Sequence, residues 1–155
     1  LIYLIFLKFS LIKVQRFMIE NFNNIYLLIL FVLFLMLFGV YLVRIVFAPE
    51  GLAKEFNADK SAILPLRYVG TFAAGIIFLG VYILFRPDGP AGTWAYFNLL
   101  FIVSIFQLLY DLLFYFKIID KDIGAKNSMI DIGVSIFAVC VSAILIWGLS
   151  DKIYL

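Results

Sequence analysis

Four ionisable side chains of this sequence fall in or beside otherwise apolar surroundings, Arg44, Arg67, Asp111 and Asp131. An ionisable group in a hydrocarbon environment costs at least about 2.5 kcal/mol on insertion scales, so such groups turn inward and find partners. Two acids and two bases can neutralise one another in a structural network. Alternatively, an acid that keeps access to water can titrate or bind a cation. Asp111 is the deepest of the four. At about 100° per residue, Ser104, Gln107 and Asp111 form one helical stripe with Leu100 and Tyr115, while Asn98 points elsewhere. Asp131, Ser135, Ala138 and Ser142 recur at i, i+4, i+7 and i+11 and form a second small, polar stripe, expected to face the first. In that arrangement Gln107 and Ser104 would orient Asp111 by hydrogen bonds, and Arg67 or Arg44 would tune its charge.

The residue inventory closes several other chemistries. With no histidine and one cysteine, the chain cannot supply axial histidines to a haem, a His or Cys zinc set, a Ser-His-Asp relay or a redox cysteine pair. No metal, cofactor or catalytic residue is therefore expected, and Cys140 reads as a small apolar filler between Val139 and Val141. The net charge of +2, with basic residues scattered at helix ends, implies no nucleic-acid partner.

The elements that must position these groups are four apolar stretches, Ile25 to Phe47, Leu66 to Phe85, Trp94 to Ile118 and Met129 to Leu149. Each is about long enough to cross a hydrocarbon core of about 30 Å. With 66% hydrophobic and 14% charged residues, and a mean hydropathy of +1.13, too little polar surface exists for a soluble domain. The expected fold is all-α, an integral membrane antiparallel four-helix bundle with the lipid bilayer as its surroundings, and threading it brings Arg44, Arg67, Asp111 and Asp131 to one side. Residues 18–155 read as one domain. Residues 1–17, which precede Met18, read as a doubtful leader, either untranslated upstream sequence or an interfacial helix presenting Lys13, Arg16 and Glu20.

The connections are short. Pro49 opens a brief interfacial helix in which Glu50 and Lys54 are spaced as an i,i+4 pair. Arg86 to Gly92 is a Pro/Gly turn, with Thr93 as a helix cap and Trp94 and Tyr96 as interfacial anchors. Asp120 to Ser128 reads as a solvated loop ending on a capping serine. Most lysines and arginines, from Arg44 and Arg67 to Lys121 and Lys126, lie on the Asp111 side, against Arg86 and Lys152 on the other, joined by Lys8, Lys13 and Arg16 if the leader is genuine. The Asp111 side is thus expected to be cytoplasmic, with both termini outside. Gly70 with Ala74, and Thr71 with Gly75, satisfy small-xxx-small spacing and should form a helix-packing face, within the bundle or between subunits of a homo-oligomer.

Pro49 to Phe56 after the first stretch, followed by Leu66-Arg67-Tyr68-Val69-Gly70 opening a glycine-rich second one, resembles the small four-helix membrane proteins of the DoxX group. The chain departs from that pattern in bearing Gln107 and Asp111 where an arginine-bearing third span is expected. The resemblance implies a bacterial inner-membrane bundle, a loose association with respiratory accessory roles, and no catalytic residue. The leading expectation is a structural or accessory membrane protein, a subunit or oligomer with a polar network at its cytoplasmic end. The alternative is an oligomeric carrier of protons or small polar or cationic solutes that uses Asp111. Catalysis on lipid or quinone is the weakest reading, since it needs more than one embedded carboxylate.

Overall fold

The computed structural model describes residues 16–122, 124 and 128–155. The leader read into residues 1–17 lies almost wholly outside that set. Among the described residues the regular structure is entirely helical. The long helices are α1 (Ile25–Phe47), α3 (Ile63–Phe85), α4 (Trp94–Tyr115) and α5 (Met129–Gly148), and the short ones are α2 (Pro49–Glu55) and α6 (Ser150–Ile153). Among the described residues four helical segments are long and apolar enough to cross a membrane, one of them extended by the 3₁₀ turn Lys60–Ala62 into α3.

Helix boundaries follow local chemistry. Asn24 caps α1 by accepting the Leu27 amide at 2.9 Å. Ala48 leaves helical geometry, as a residue before proline is driven to do, and Pro49 restarts the chain as the first residue of α2. Arg86 ends α3 before Pro87 for the same reason. Two predicted limits shift. The helix expected from Leu66 begins at Ile63, because Pro65 in the first turn surrenders an amide with no intrahelical partner there and the capped 3₁₀ turn leads straight in. The helix expected to reach Ile118 ends at Tyr115, since Lys117 adopts a left-handed backbone at φ 55° although the apolar pattern continues.

The chain folds as two antiparallel hairpins, α1 with α3 and α4 with α5. The tightest packing is α4 on α5, the hairpins join through α1 on α5, and the consecutive helices α3 and α4 make at most marginal contact. The fully buried large side chains Phe22, Phe31, Phe97, Leu145, Leu149 and Ile153 gather toward the end of the bundle that holds the α3–α4 turn and the C-terminus. There Phe31 meets Phe22 at a ring-centroid distance of 5.1 Å and Phe97 at 5.6 Å. Polar ties seal this end. Asn23 Nδ2 donates to Asp151 Oδ1 at 2.7 Å and to the Gly148 carbonyl at 2.9 Å, and Asn21 Nδ2 donates to the Pro87 carbonyl at 3.0 Å. One end is therefore close-packed and latched, and the hairpins part toward the other, where Asp111 lies.

Candidate functional site

Small residues explain why α4 and α5 approach so closely. Ser135, Ala138 and Ser142 are all buried on the face of α5 turned inward, and small side chains let helix backbones come together where lipid supplies no hydrophobic drive. Asp111, 6% exposed, meets this face. Its Oδ2 accepts from Ser135 Oγ at 2.5 Å, and its Oδ1 accepts from Gln107 Nε2 at 2.9 Å one helical turn back. Two side-chain donors thus hold the carboxyl group in place. Ser104 is not one of them: its hydroxyl donates to the Leu100 carbonyl at 2.8 Å, the i−4 bond that satisfies a serine inside a helix. Ser135, which belonged to the second polar stripe but not to the expected Asp111 shell, takes that place.

The four charges expected to be embedded share one end of the bundle. Arg44 pairs with Glu55, because α2 folds back immediately after Ala48 and sets a carboxylate beside the last turn of α1. Both side chains are well exposed, at 39% and 54%, so the pair is screened and adds little to stability. Arg67 is exposed and makes no ion pair among the described residues. Asp131 closes a capping box, its Oδ2 accepting from the Ser128 amide at 3.0 Å and hydroxyl at 2.7 Å. A carboxylate there complements the positive end of α5. Arg44 thus has a local carboxylate partner in Glu55, and Arg67 lies at the surface. The i,i+4 pair expected between Glu50 and Lys54 is likewise not among the ion pairs of the described residues.

Where the hairpins part, a cleft of about 840 Å³ opens, at the upper end of the range typical of small-molecule sites. Most of its wall is apolar, with Phe38, Leu42, Ile76 and Val103 contributed by three helices. Its polar groups sit mainly at one end, where Tyr41, Gln107, Asp111, Asp131 and Ser135 all line it. The slack contact between α3 and α4 leaves it bordered by exposed Phe72 on one side and Leu99 and Val103 on the other.

Tyr96 bounds the other end of the cleft. Expected as an interfacial anchor, it is only 5% exposed, whereas Trp94 keeps 53% of its surface. Gly80 is the cause: a Cβ at that position would lie 2.3 Å from Tyr96 Oη and 2.5 Å from Leu35 Cδ2, so only glycine leaves the notch the ring enters. The Tyr96 hydroxyl is buried and has no hydrogen-bond partner among the described residues. Sequence reasoning missed this group because a tyrosine two residues after a tryptophan at a helix start matches an aromatic belt. Gly80 was the available signal, the third glycine on α3, outside the predicted packing spacing.

The predicted packing face divides. Gly70 is buried against α1, where a Cβ would meet Ile45 Cγ2 at 2.7 Å. Thr71 and Gly75 are exposed, with nothing within 4 Å of a Cβ at Gly75, and Ala74 is half-buried between the two. Thr93 does not cap α4 with its side chain, since its hydroxyl donates to the Pro90 carbonyl. Among the described residues no group of three or more His, Cys, Asp or Glu is placed to hold a metal. No family model, curated protein or solved structure matches the chain, so the likeness to the DoxX group rests on residues 49–56 and 66–70 alone.

Proposed function

We propose that this chain is a small multi-pass membrane protein of accessory type whose bundle holds a slender amphipathic molecule, hydrocarbon in the cleft and polar group against Asp111. One observation carries this: Asp111, oriented by Gln107 and Ser135, lines an apolar cleft of about 840 Å³. Arg44 has its own carboxylate in Glu55, and the carboxyl group of Asp111 lines the cleft. A carboxylate in low-dielectric surroundings favours a cation or a hydrogen-bond donor, so the preferred head group is an amine or a hydroxyl. The distribution of lysine and arginine supports a cytoplasmic Asp111 end.

Equilibrium binding of radiolabelled hexadecylamine to the purified protein in lipid nanodiscs tests the proposal. Asp111→Asn keeps the shape of the side chain and removes its charge. Affinity should fall about tenfold, equivalent to about 1.4 kcal/mol. Equal affinity for both proteins, or no binding above empty nanodiscs, would refute the assignment. Carriage of protons or small cations is a second reading, favoured by a cleft that runs from Asp111 near one end of α4 to Tyr96 near the other. It requires pH-dependent flux into proteoliposomes that Asp111→Asn abolishes, and flux no greater than in protein-free vesicles excludes it.

A further inference from the structure

The Asp111 end of the cleft holds a polar group that the assignment of Asp111 does not use. Phe34, Phe38, Tyr41 and Ile45 recur at i, i+4, i+7 and i+11 on α1 and all line the cleft, so one helical stripe of α1 faces it. The first two are hydrocarbon, and the stripe turns polar at Tyr41. Tyr41 lies six residues before the last residue of α1, and Asp111 four before the last residue of α4, helices that run in the same direction. At about 1.5 Å of rise per residue they sit about 9 Å and about 6 Å from those ends, at similar depth.

Other tyrosines of the long helices reach outward: Tyr26, Tyr68 and Tyr82 are all more than half exposed, as in an aromatic belt. Tyr41 is half-buried, and its hydroxyl feels most strongly the charge of Asp131, then those of Arg44, Glu55 and Asp111. Asp131 and Asp111 line the cleft from α5 and α4, so the hydroxyl is set toward that space. It makes no hydrogen bond to a described residue, and, in contrast to Tyr96, its oxygen keeps accessible surface. Tyr110, which also lines the cleft, already donates to Asp120 Oδ2 at 3.0 Å.

A phenol carries its proton at neutral pH and can donate it, whereas an ammonium has donors only. A simple amine would therefore satisfy Asp111 and leave the Tyr41 proton without an acceptor, at a cost in affinity. A head group that also bears an oxygen meets both. Because Tyr41 and Asp111 share one end of the cleft, that oxygen must lie close to the amine and not farther down the chain. We propose that Tyr41 is a second head-group contact, donating to a hydroxyl oxygen of the bound molecule, and that the ligand is a long-chain amino alcohol with amine and hydroxyl on neighbouring carbons. This rests on the cleft being a site for an amphiphilic amine, as proposed above, and adds the composition of the head group.

The experiment compares radiolabelled hexadecylamine with 2-aminohexadecan-1-ol, bound to wild type and to Tyr41→Phe in lipid nanodiscs. The substitution removes only the hydroxyl and keeps the ring on the wall of the cleft. The ratio of the two affinities, amino alcohol over amine, should fall about fivefold from wild type to Tyr41→Phe, the scale of one net hydrogen bond. An unchanged ratio, or loss of both probes together, overturns the role of Tyr41 and leaves the Asp111 site standing if hexadecylamine still responds to Asp111→Asn. Binding of hexadecylamine but not of the amino alcohol to wild type overturns it equally. Failure of wild type to bind either probe overturns the cleft assignment itself, and with it this inference.

Discussion

The contact of Gly80 with Tyr96 decides whether the cleft is closed at its far end, and its energetics can be worked from the geometry. Gly80→Ala places a methyl group 2.3 Å from Tyr96 Oη, 2.5 Å from Leu35 Cδ2 and 3.3 Å from Tyr96 Cζ. The leucine methyl is the end of a flexible side chain and can rotate away. The tyrosine hydroxyl is the end of a rigid ring held by Phe31 and Phe97 and cannot. Overpacking of this kind costs about 1–3 kcal/mol, against a gain of about 1 kcal/mol from replacing glycine by alanine inside a helix. The net expectation is a loss of about 1 kcal/mol in the wild-type background. In Tyr96→Phe the closest contact disappears, the propensity gain dominates, and the same substitution should be neutral or stabilising. The coupling energy is therefore about 1–2 kcal/mol. Tyr96→Phe alone should stabilise the protein by about 1 kcal/mol, since it removes a buried donor without a partner. Thermal unfolding of the four proteins in detergent, followed by circular dichroism, reads these differences as shifts of about 2–4 °C per kcal/mol for a chain of this size. If Gly80→Ala has the same effect in both backgrounds, the ring does not occupy the notch and the far boundary of the cleft is wrong.

Two further outcomes are expected. Gly70→Ala should destabilise the protein by about 1–2 kcal/mol because of Ile45, whereas Gly75→Ala, with open space around it, should be neutral or slightly stabilising; a change of oligomeric state with Gly75→Ala by size-exclusion light scattering would instead show that this face is a subunit seam. Asp59, at the 3₁₀ turn before α3, accepts from the Ser61 amide at 2.6 Å, and this bond, reinforced by the Ser61 hydroxyl, holds its carboxyl below the usual carboxylate range. Its folded value is lowered, so its stabilising contribution is present above the ordinary carboxylate range and is lost as pH falls through the lowered value. Protection of the Ser61 amide from hydrogen exchange, corrected for intrinsic rate, should fall over that acidic window in wild type and be pH-independent in Asp59→Asn; no dependence in wild type would show that the cap does not form.

Much of the fold was legible because its causes are local. The first long helix has the predicted bounds, Ile25 to Phe47, since a capping asparagine and a following proline act within a few residues of the ends they set. The errors at Ile63 and Tyr115 arose where apolar composition and backbone geometry part company, at Pro65 and Lys117. The site was only half legible. Periodicity alone set the stripe of Asp111 against the stripe of Ser135, without giving which residues of the two meet, because two polar stripes on adjacent antiparallel helices have few ways to avoid each other. It could not give Ser104 its carbonyl partner, nor Arg44 its Glu55, because each depends on distances between groups on one turn or across one bend.

Composition and hydropathy determined by themselves that the described residues hold four helices long and apolar enough for a bilayer, with Arg44, Arg67, Asp111 and Asp131 toward one end. These follow from the cost of exposing apolar surface to water and charge to hydrocarbon, terms that need no partner to be specified. Only the tertiary structure decided that the hairpins part toward Asp111, that Arg44 pairs with Glu55, and that Tyr96 is buried with a hydroxyl that has no partner among the described residues. A cleft is the space between helices, and its shape is set by side chains far apart in sequence, such as Gly80 and Tyr96, that act only once they meet.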